Sequence, residues 1–168
     1  PSQLINVDVS EIDIVRDSFG VPHIFAPTDV QVAYGLGWTT CEDDFETLQW
    51  SMLAAKAMLA AHLGVEGARI DYAVQLLRAR EIVEERYEKD LTPHFRNMIE
   101  AYTRAVNKYA DLHPEEVLVK KAFPITPKDM ATGYVLSMCL MSGVDKVLTS
   151  VLDGSITDKI PDEGVGSN

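Results

Sequence analysis

The sequence is short of three things that would assign it to particular protein classes: cysteine, positive charge and long apolar runs. It has two cysteines, Cys41 and Cys139, no Cys-x-x-Cys pair and four scattered histidines, which argues against a zinc site built from this chain alone. The sequence does not decide whether the two cysteines form a disulfide, so cysteine usage does not indicate whether the chain is in an oxidising or a reducing compartment. Nowhere do about 20 apolar residues follow one another, as a membrane-spanning helix requires.

Positive charge is scarce, because 15 Lys and Arg residues stand against 26 Asp and Glu residues and give a formal net charge of −11. Such a surface repels phosphate backbones and anionic lipids, so neither nucleic acid nor a membrane is expected as a partner. The 168 residues are 46% hydrophobic and 24% charged, the composition of one soluble globular domain. The chain begins at Pro1 without a leader pattern, and we expect it to be a fragment of a longer gene product.

The N-terminal region favours extended structure up to about residue 27. Two β-forming runs, residues 12–16 and 22–26, flank a polar segment that ends in Gly20, which predicts a hairpin. An isolated hairpin is only marginally stable, so we expect its strands to join a larger sheet contributed from elsewhere.

Four helices are predicted behind the hairpin. The first begins after the N-cap Thr28, breaks near Trp38 and ends at Gly64 and Gly67; the second covers residues 71–88. The third and fourth helices each begin at a Thr-Pro pair, in which the threonine hydroxyl caps the helix and the proline has no amide that needs a partner. The third helix runs from Thr92 to His113, and the fourth runs from Thr126 through Met141 towards Leu148. We assign residues 1–152 to this helical domain and residues 153–168, rich in glycine, to a C-terminal processing or linker segment.

Three patterns have both a functional and a structural interpretation. The acidic run at residues 42–44 could bind a hard cation, but charge runs usually mark a solvated helix face, which we favour. Gly35 and Gly37 lack the third glycine of a dinucleotide fingerprint, so we favour a role in helix packing or kinking. His23 has no Ser or Cys that can be placed beside it, and we interpret it as a strand histidine rather than a base.

Two segments of the N-terminal region form a specific pattern: they read Val-Arg-Asp-Ser-Phe-Gly-Val-Pro-His-Ile at residues 15–24 and Ala-Tyr-Gly-Leu-Gly-Trp at residues 33–38, followed by the acidic run. Together they resemble the start of the penicillin acylase family of N-terminal-nucleophile hydrolases. In that family a precursor cleaves itself into a small helical α chain and a large β chain, which fold together as an αββα sandwich. The resemblance implies that this chain is the α subunit, mainly α with an N-terminal hairpin, and that a β subunit completes a heterodimer.

The same resemblance assigns a role to the C-terminal Gly166-Ser167 pair. In a Gly-Ser-Asn segment the serine attacks the glycine carbonyl, and the cut frees an α-amino group with a pKa of about 7.7–8.0 that serves as the base. By that motif Ser167 is the catalytic nucleophile and Gly166 the processing residue. The chain continues to Asn168, however, so three alternatives stay open: an uncut or truncated precursor, a boundary set by hand, or a cut after Asn168 with the nucleophile on the β chain.

The fourth helix matches the segment that lines the family's acyl pocket, which makes Met138, Leu140, Met141 and Ser142 the predicted substrate-binding residues. Phenylacetyl-specific members have an Arg-Phe pair where this chain has Met141-Ser142-Gly143, so the pocket should be more open. We therefore expect a long or bulky acyl group, as in members that act on acyl-homoserine lactones or lipopeptides. Because helical positions diverge, some of these side chains should be core.

Cofactor and location also follow from the resemblance. No cofactor is implied, and no metal ligand is expected from this chain, because the glutamate that binds structural calcium in some members is replaced here by Leu148; any calcium would depend mainly on the β chain. Bacterial relatives are mostly exported, which implies a periplasmic or secreted enzyme. The function expected is hydrolysis of a small N-acyl amide; the alternative is a non-catalytic helical binding module derived from the same family.

Overall fold

The computed structural model describes residues 6–152 and residue 155, and this part of the chain is mainly helical behind a two-stranded hairpin. The predicted fold class is therefore confirmed. Two one-turn 3₁₀ helices lie at Val9–Glu11 and Lys120–Ala122. The strands and α-helices of the described residues are β1 (Asp13–Arg16), β2 (Pro22–Phe25), α1 (Asp29–Ala55), α2 (Ala60–Leu63), α3 (Val65–Leu76), α4 (Ala79–Asp90), α5 (Pro93–Leu112), α6 (Pro127–Met141) and α7 (Val144–Leu152).

The hairpin forms where the sequence predicts it. β1 and β2 pair antiparallel with Ile14 opposite Ile24 and Val15 opposite His23. Side chains alternate across a strand, so the two isoleucines lie on the half-buried face while Val15 and His23 lie on the exposed one. Whether a further strand joins this sheet stays a prediction, since the described residues contribute two strands.

Helix α1 begins as predicted and continues past Trp38, but it ends at Ala55, before the predicted end at Gly64, and α2 is a separate helix. The Thr28 hydroxyl accepts a hydrogen bond from the amide of Gln31, the usual N-cap contact. The predicted break near Trp38 is wrong, because the helix runs through both glycines. Its irregularity lies instead at Asp44, whose φ of −161° and ψ of 73° are not helical and whose carboxylate accepts the amide of Thr47 at 3.0 Å. Asp44 therefore restarts the helix.

The single helix predicted for residues 71–88 is wrong, because the structure divides this region into α3 and α4. Arg78 lies between them in the left-handed conformation, with φ of 52°. Buried Asp71 accepts the amides of Leu59 and Ala60 at 2.9 Å each and so caps the start of α2. Gly64 precedes α3, but Gly67 lies within it and does not end a helix.

Helices α5 and α6 begin at the predicted threonines. Thr92 accepts the amide of Phe95, and Thr126 and Asp129 form a reciprocal capping box. The fourth predicted helix stops earlier than Leu148, because Gly143 turns the chain with φ of 84° and starts the separate helix α7. The predicted segment 153–168 lies, apart from Ser155, outside the described residues.

The core lies mainly between α1, α5 and α6. Aromatic rings meet edge to face at its centre, where Tyr109 contacts both Trp38 and Phe45. Gln49 of α1 is 2% exposed, and its amide both donates to the carbonyl of Glu116 and accepts the amide of Leu118. This pair of bonds fixes the loop after α5 to the middle of α1.

Candidate functional site

The residues that carry the family resemblance meet at the junction of the hairpin and α1. Arg16 donates to the carbonyl of Gly20 at 2.8 Å and pairs with Glu42 at 3.0 Å and Asp43 at 2.8 Å. Trp38 donates its indole N–H to the other oxygen of Glu42 at 2.8 Å. The acidic run is exposed, as the interpretation of a solvated helix face predicts, and its carboxylates also pair with Arg16 and Trp38 or cap the helix at Asp44.

Asp17 shapes the hairpin turn. One carboxylate oxygen accepts the amides of Phe19 at 2.8 Å and Val21 at 3.0 Å, and the other lies 3.3 Å from Nε2 of His23. The bond from the Phe19 amide, followed by that from His23, lowers the pKa of Asp17. His23 is exposed on its strand and paired with Asp17, so this contact gives it a place in the turn, which agrees with the structural interpretation of that residue.

The two glycines of α1 mark close packing. A Cβ atom on Gly35 would lie 2.7 Å from Cγ2 of Ile24, and one on Gly37 would lie 2.6 Å from the carbonyl oxygen of Tyr102. Side chains at these positions would push α1 away from β2 and from α5. The prediction of a packing role is confirmed, and the alternative of a kink near Trp38 is not.

The four predicted acyl-pocket residues lie at the C-terminal end of α6 and are all exposed: Met138 by 59%, Leu140 by 51% and Met141 by 79%, with Ser142 as the C-cap. The expectation that some of them are core is therefore wrong. Met138 and Met141 share one face of the helix, whereas Leu140, two residues from Met138, points away from it. Ser142 donates its hydroxyl to the carbonyl of Cys139 at 2.7 Å.

Sequence reasoning missed Tyr134 on the same face. Its ring is 58% exposed, and it precedes Met138 by one helical turn and Met141 by two. The i, i+4, i+7 spacing of Tyr134, Met138 and Met141 is visible in the sequence. The sequence does not tell whether a tyrosine at this position is exposed or lies in the core. This stripe of Tyr134, Met138 and Met141, which we call the α6 stripe, can bind apolar groups and carries no charge of its own.

The buried ionic contacts are structural. Asp129, 3% exposed, accepts bonds from Lys56 at 3.0 Å and from the amide and hydroxyl of Thr126. Burial alone would raise its pKa, but the bonds from Thr126 and Lys56 outweigh burial, so the pKa of Asp129 is lowered. The bond network joins the end of α1 to the start of α6 and positions the helix that carries the stripe.

The two cysteines are both free thiols. Cys41 is buried, and burial, followed by the nearby carboxylates of Glu116 and Glu42, raises its pKa to about 12. A thiol in this state is a small core side chain and a poor nucleophile. No helix in the part of the chain that the structure describes is long and apolar enough to cross a membrane.

Comparison with known proteins then assigns the family. A family model described as penicillin amidase matches residues 11–165. The chain belongs to the penicillin amidase family. This confirms the resemblance carried by the hairpin and α1.

Individual members of the penicillin amidase family also match parts of this chain. Penicillin G acylase of Escherichia coli is 27% identical over 139 residues, which cover 77% of this chain and 16% of the relative. The penicillin acylase 2 proenzyme of Pseudomonas sp. (strain SE83) is 26% identical over 98 residues, covering 58% of this chain and 12% of the relative. The chain thus spans less than a fifth of the length of either relative.

A solved penicillin amidase structure has the same fold. The thermostable penicillin G acylase from Alcaligenes faecalis matches with a TM-score of 0.65 and 19% identity, covering 94% of this chain and 97% of that chain. At this identity the likeness concerns the fold alone, a mainly helical chain with an N-terminal hairpin.

The predicted processing pair and the calcium position are not part of this geometry. Gly166 and Ser167 lie outside the described residues. Leu148 is half-buried on α7. Among the described residues, one group of potential metal ligands comes together elsewhere, after α5: Nδ1 of His113 lies 3.8 Å from Glu115 and 3.5 Å from Glu116. Both of these carboxylates are solvent-exposed, and His113 pairs with them directly.

Proposed function

We propose that this chain is the α subunit of a self-processed amide hydrolase, which releases an acyl group from a small N-acyl amide. One observation carries the proposal: the chain matches 97% of a separate chain of a solved penicillin G acylase but only 16% of a full-length relative. A second relative is named a proenzyme. Both support a longer precursor that is cut to give this chain and a β subunit, which together form a heterodimer.

In the proposed processing step, the Ser167 hydroxyl attacks the carbonyl carbon of Gly166. The Gly166–Ser167 amide breaks, an ester forms, and water hydrolyses that ester to leave a carboxylate on Gly166 and a free α-amine on the serine. Glycine suits the position before the cut because it tolerates a strained backbone. If the cut instead follows Asn168, the nucleophile is the first residue of the β chain, and this chain contributes binding surface alone.

In the proposed reaction, the free α-amine takes the proton of the serine hydroxyl as that oxygen attacks the substrate carbonyl. The tetrahedral intermediate collapses, the amine leaves with a proton, and an acyl-enzyme ester remains for water to hydrolyse. Donors that stabilise the oxyanion are assigned to the β subunit. The steps use water and no organic cofactor, and any structural calcium would bind mainly through β-subunit carboxylates.

The exposed apolar surfaces of the chain support both a substrate and a β subunit. Met138 and Met141 of the α6 stripe are assigned to one wall of an acyl pocket, with Leu140 and Ser142 at its edges. The outer face of the hairpin is also exposed, including Phe25 by 60%. A wall this exposed needs a second wall to exclude water, and the β subunit supplies it.

The net charge of −11 disfavours nucleic acid and anionic membranes as partners. Because the bacterial relatives are mostly exported, we assign the enzyme to the periplasm or the secreted fraction. Fractionation of the native host, with the chain followed by antibody, tests this location.

Intact-mass analysis of the full gene product tests the proposal. Two chains are expected, the second beginning with serine, together with hydrolysis of acyl p-nitroanilides. Ser167→Ala should leave one uncut, inactive chain, while Ser155→Ala, a matched change in the same region, should be cut normally. Cleavage of the Ser167→Ala variant would move the cut beyond Asn168. A single uncut, inactive wild-type chain would favour the non-catalytic binding module instead.

A further inference from the structure

Three side chains that can bind a metal ion come together where α5 ends. Nδ1 of His113 lies 3.5 Å from Oε1 of Glu116 and 3.8 Å from Oε1 of Glu115, and the ligand atoms of the three residues all lie within 4.8 Å of one another. In a tetrahedral ion bound at about 2.0–2.1 Å, neighbouring ligand atoms are about 3.4 Å apart. The imidazole is therefore close to the spacing that an ion requires, and the exposed glutamates can complete it by rotating their side chains.

A buried tyrosine supports this cluster from the core side. Tyr109 is 7% exposed, and its hydroxyl donates to Oε2 of Glu116 at 3.4 Å, which leaves Oε1 directed at His113. The ring of Tyr109 stacks on the imidazole of His113, with ring centres 4.2 Å apart and an angle of 23° between the planes. Contacts of this kind orient the ligands of metal sites in proteins. One core residue thus orients two of the three ligands, which distinguishes the cluster from an ordinary surface ion pair.

The backbone that carries the three ligands is fixed as well. Buried Gln49 donates to the carbonyl of Glu116 at 3.0 Å and accepts the amide of Leu118 at 2.8 Å. The amide of Glu116 donates to the carbonyl of His113 at 3.0 Å, and the amide of His113 donates to the carbonyl of Tyr109 at 2.9 Å. Because this turn is held at both ends, the chain loses little backbone entropy when an ion binds.

The chemistry of the donors restricts which ion they suit. One imidazole nitrogen and two carboxylate oxygens are ligands that Zn²⁺ takes in proteins, whereas Ca²⁺ and Mg²⁺ are bound through oxygen. In the neutral imidazole of His113, a proton on Nε2 leaves the lone pair of Nδ1 free to bind the ion. The formal net charge of −11 raises the concentration of cations around the chain. These donors therefore favour Zn²⁺ over calcium.

We propose that His113, Glu115 and Glu116 bind one Zn²⁺ ion, with water as the fourth ligand, and that the ion holds the loop after α5 in place. The sequence predicts no metal ligand from this chain, because it contains no Cys-x-x-Cys pair and no cluster of histidines. A single histidine followed by two glutamates gives no such signal, and the turn that brings them together depends on Gln49 and Tyr109. The site takes no part in the proposed hydrolysis, so its test does not depend on that reaction.

Chemical modification of the histidines measures zinc binding at this position. The full gene product is treated with a zinc-selective chelator, titrated with Zn²⁺ and reacted with diethyl pyrocarbonate, and each histidine peptide is quantified by mass spectrometry. With Zn²⁺ on Nδ1 and the proton on Nε2, the ring has no free lone pair, so saturating zinc should slow the reaction of His113 at least about tenfold. His94, which pairs with Asp29 at 3.1 Å, is the matched control and should react at an unchanged rate, as should exposed His62.

Two variants distinguish a built site from a general effect of acidic surface. Glu116→Gln removes a charged ligand but keeps an oxygen that can accept the Tyr109 hydroxyl, so it should fold, and it should raise the zinc concentration that half-protects His113 at least about tenfold. Glu85→Gln, the same change at an exposed position of α4, should leave that concentration unchanged. Lack of protection of His113 in the wild type, equal protection of His94, or protection that persists in Glu116→Gln would overturn the site.

Discussion

Arg16 and Glu42 join the hairpin to the first helix. The guanidinium Nη2 lies 3.0 Å from the Glu42 carboxylate, while Nη1 reaches both Asp43 and the carbonyl of Gly20 at 2.8 Å. One planar side chain thus connects the turn of the hairpin to the acidic run. A compact ammonium group could not satisfy three separated oxygen atoms with the same geometry.

Arg16→Lys should therefore loosen the hairpin although it conserves the charge. Hydrogen–deuterium exchange should become faster at the amides of β1 and β2, while those of α5 keep their wild-type rates, because α5 does not depend on this contact. Arg86→Lys is the matched control, since its ion pair with Asp90 lies within α4. Equal hairpin protection in wild type and Arg16→Lys would contradict the assigned role.

Gly37→Ala should destabilise the chain by about 1–3 kcal/mol, the usual cost of an overpacked contact. The added Cβ would lie 2.6 Å from a backbone oxygen of Tyr102, which cannot move without shifting α5. Gly133→Ala is the control: its new Cβ meets the mobile methyl end of Met52 at 3.0 Å, and helix propensity gains up to about 1 kcal/mol. Urea unfolding of the 168-residue chain measures both. Equal losses would argue against close packing at Gly37.

Asp129→Asn should lower the free energy of unfolding by about 3 kcal/mol near neutral pH, because Lys56 loses its buried partner. The folded-state pKa of Asp129 lies below its ordinary value, so its contribution is present above about pH 4 and is lost as the pH falls through the folded pKa. Unfolding curves of wild type and variant should converge on acidification. Asp111→Asn, at an exposed position, should leave the pH profile as in the wild type.

Thiol labelling should distinguish the two cysteines. Cys41 is 2% exposed with a pKa of about 12, so it carries almost no thiolate near neutral pH, whereas Cys139 is half-buried and more accessible. Iodoacetamide should modify Cys139 first in the native chain, and both residues in urea, as followed by peptide mass spectrometry. Native modification of Cys41 at the rate of Cys139 would mean that the core around Phe45 opens readily.

Local signals in the sequence were enough for the hairpin, for the caps at Thr28, Thr92 and Thr126, and for the packing glycines. The hairpin and the caps depend on residues a few positions apart, whereas the glycines were recognised by their own Gly-x-Gly spacing. The division of residues 71–88 was not predictable in this way, because Arg78 adopts a left-handed conformation that tertiary contacts must stabilise. The missing break near Trp38 also depends on tertiary contacts: glycines destabilise a helix in isolation, but here Gly35 allows β2 to approach and Gly37 allows α5 to approach.

The candidate site was predicted less completely than the fold. Helical spacing identifies which residues share a face, so Met138 and Met141 could be paired, but spacing does not tell which face the rest of the chain covers. Tyr134 and the apolar groove beside it, between α4, α5 and α6, depend on how α4 packs across α6, which involves residues far apart in sequence. Sequence alone therefore named the exposed methionines of α6 but not the apolar groove beside Tyr134, and the role of either in substrate binding stays a prediction.

The interruption at Asp44 gives α1 two amino-terminal ends where an unbroken helix would have one. Aligned peptide dipoles place partial positive charge at such an end, and acidic side chains there are stabilising. The restart thus provides a favourable electrostatic setting for Glu46, in the first turn of the second half, as well as for Asp44 itself. The backbone thus compensates the acids that follow the break, whereas Glu42 and Asp43, at the carboxyl end of the first half, depend on Arg16 for compensation.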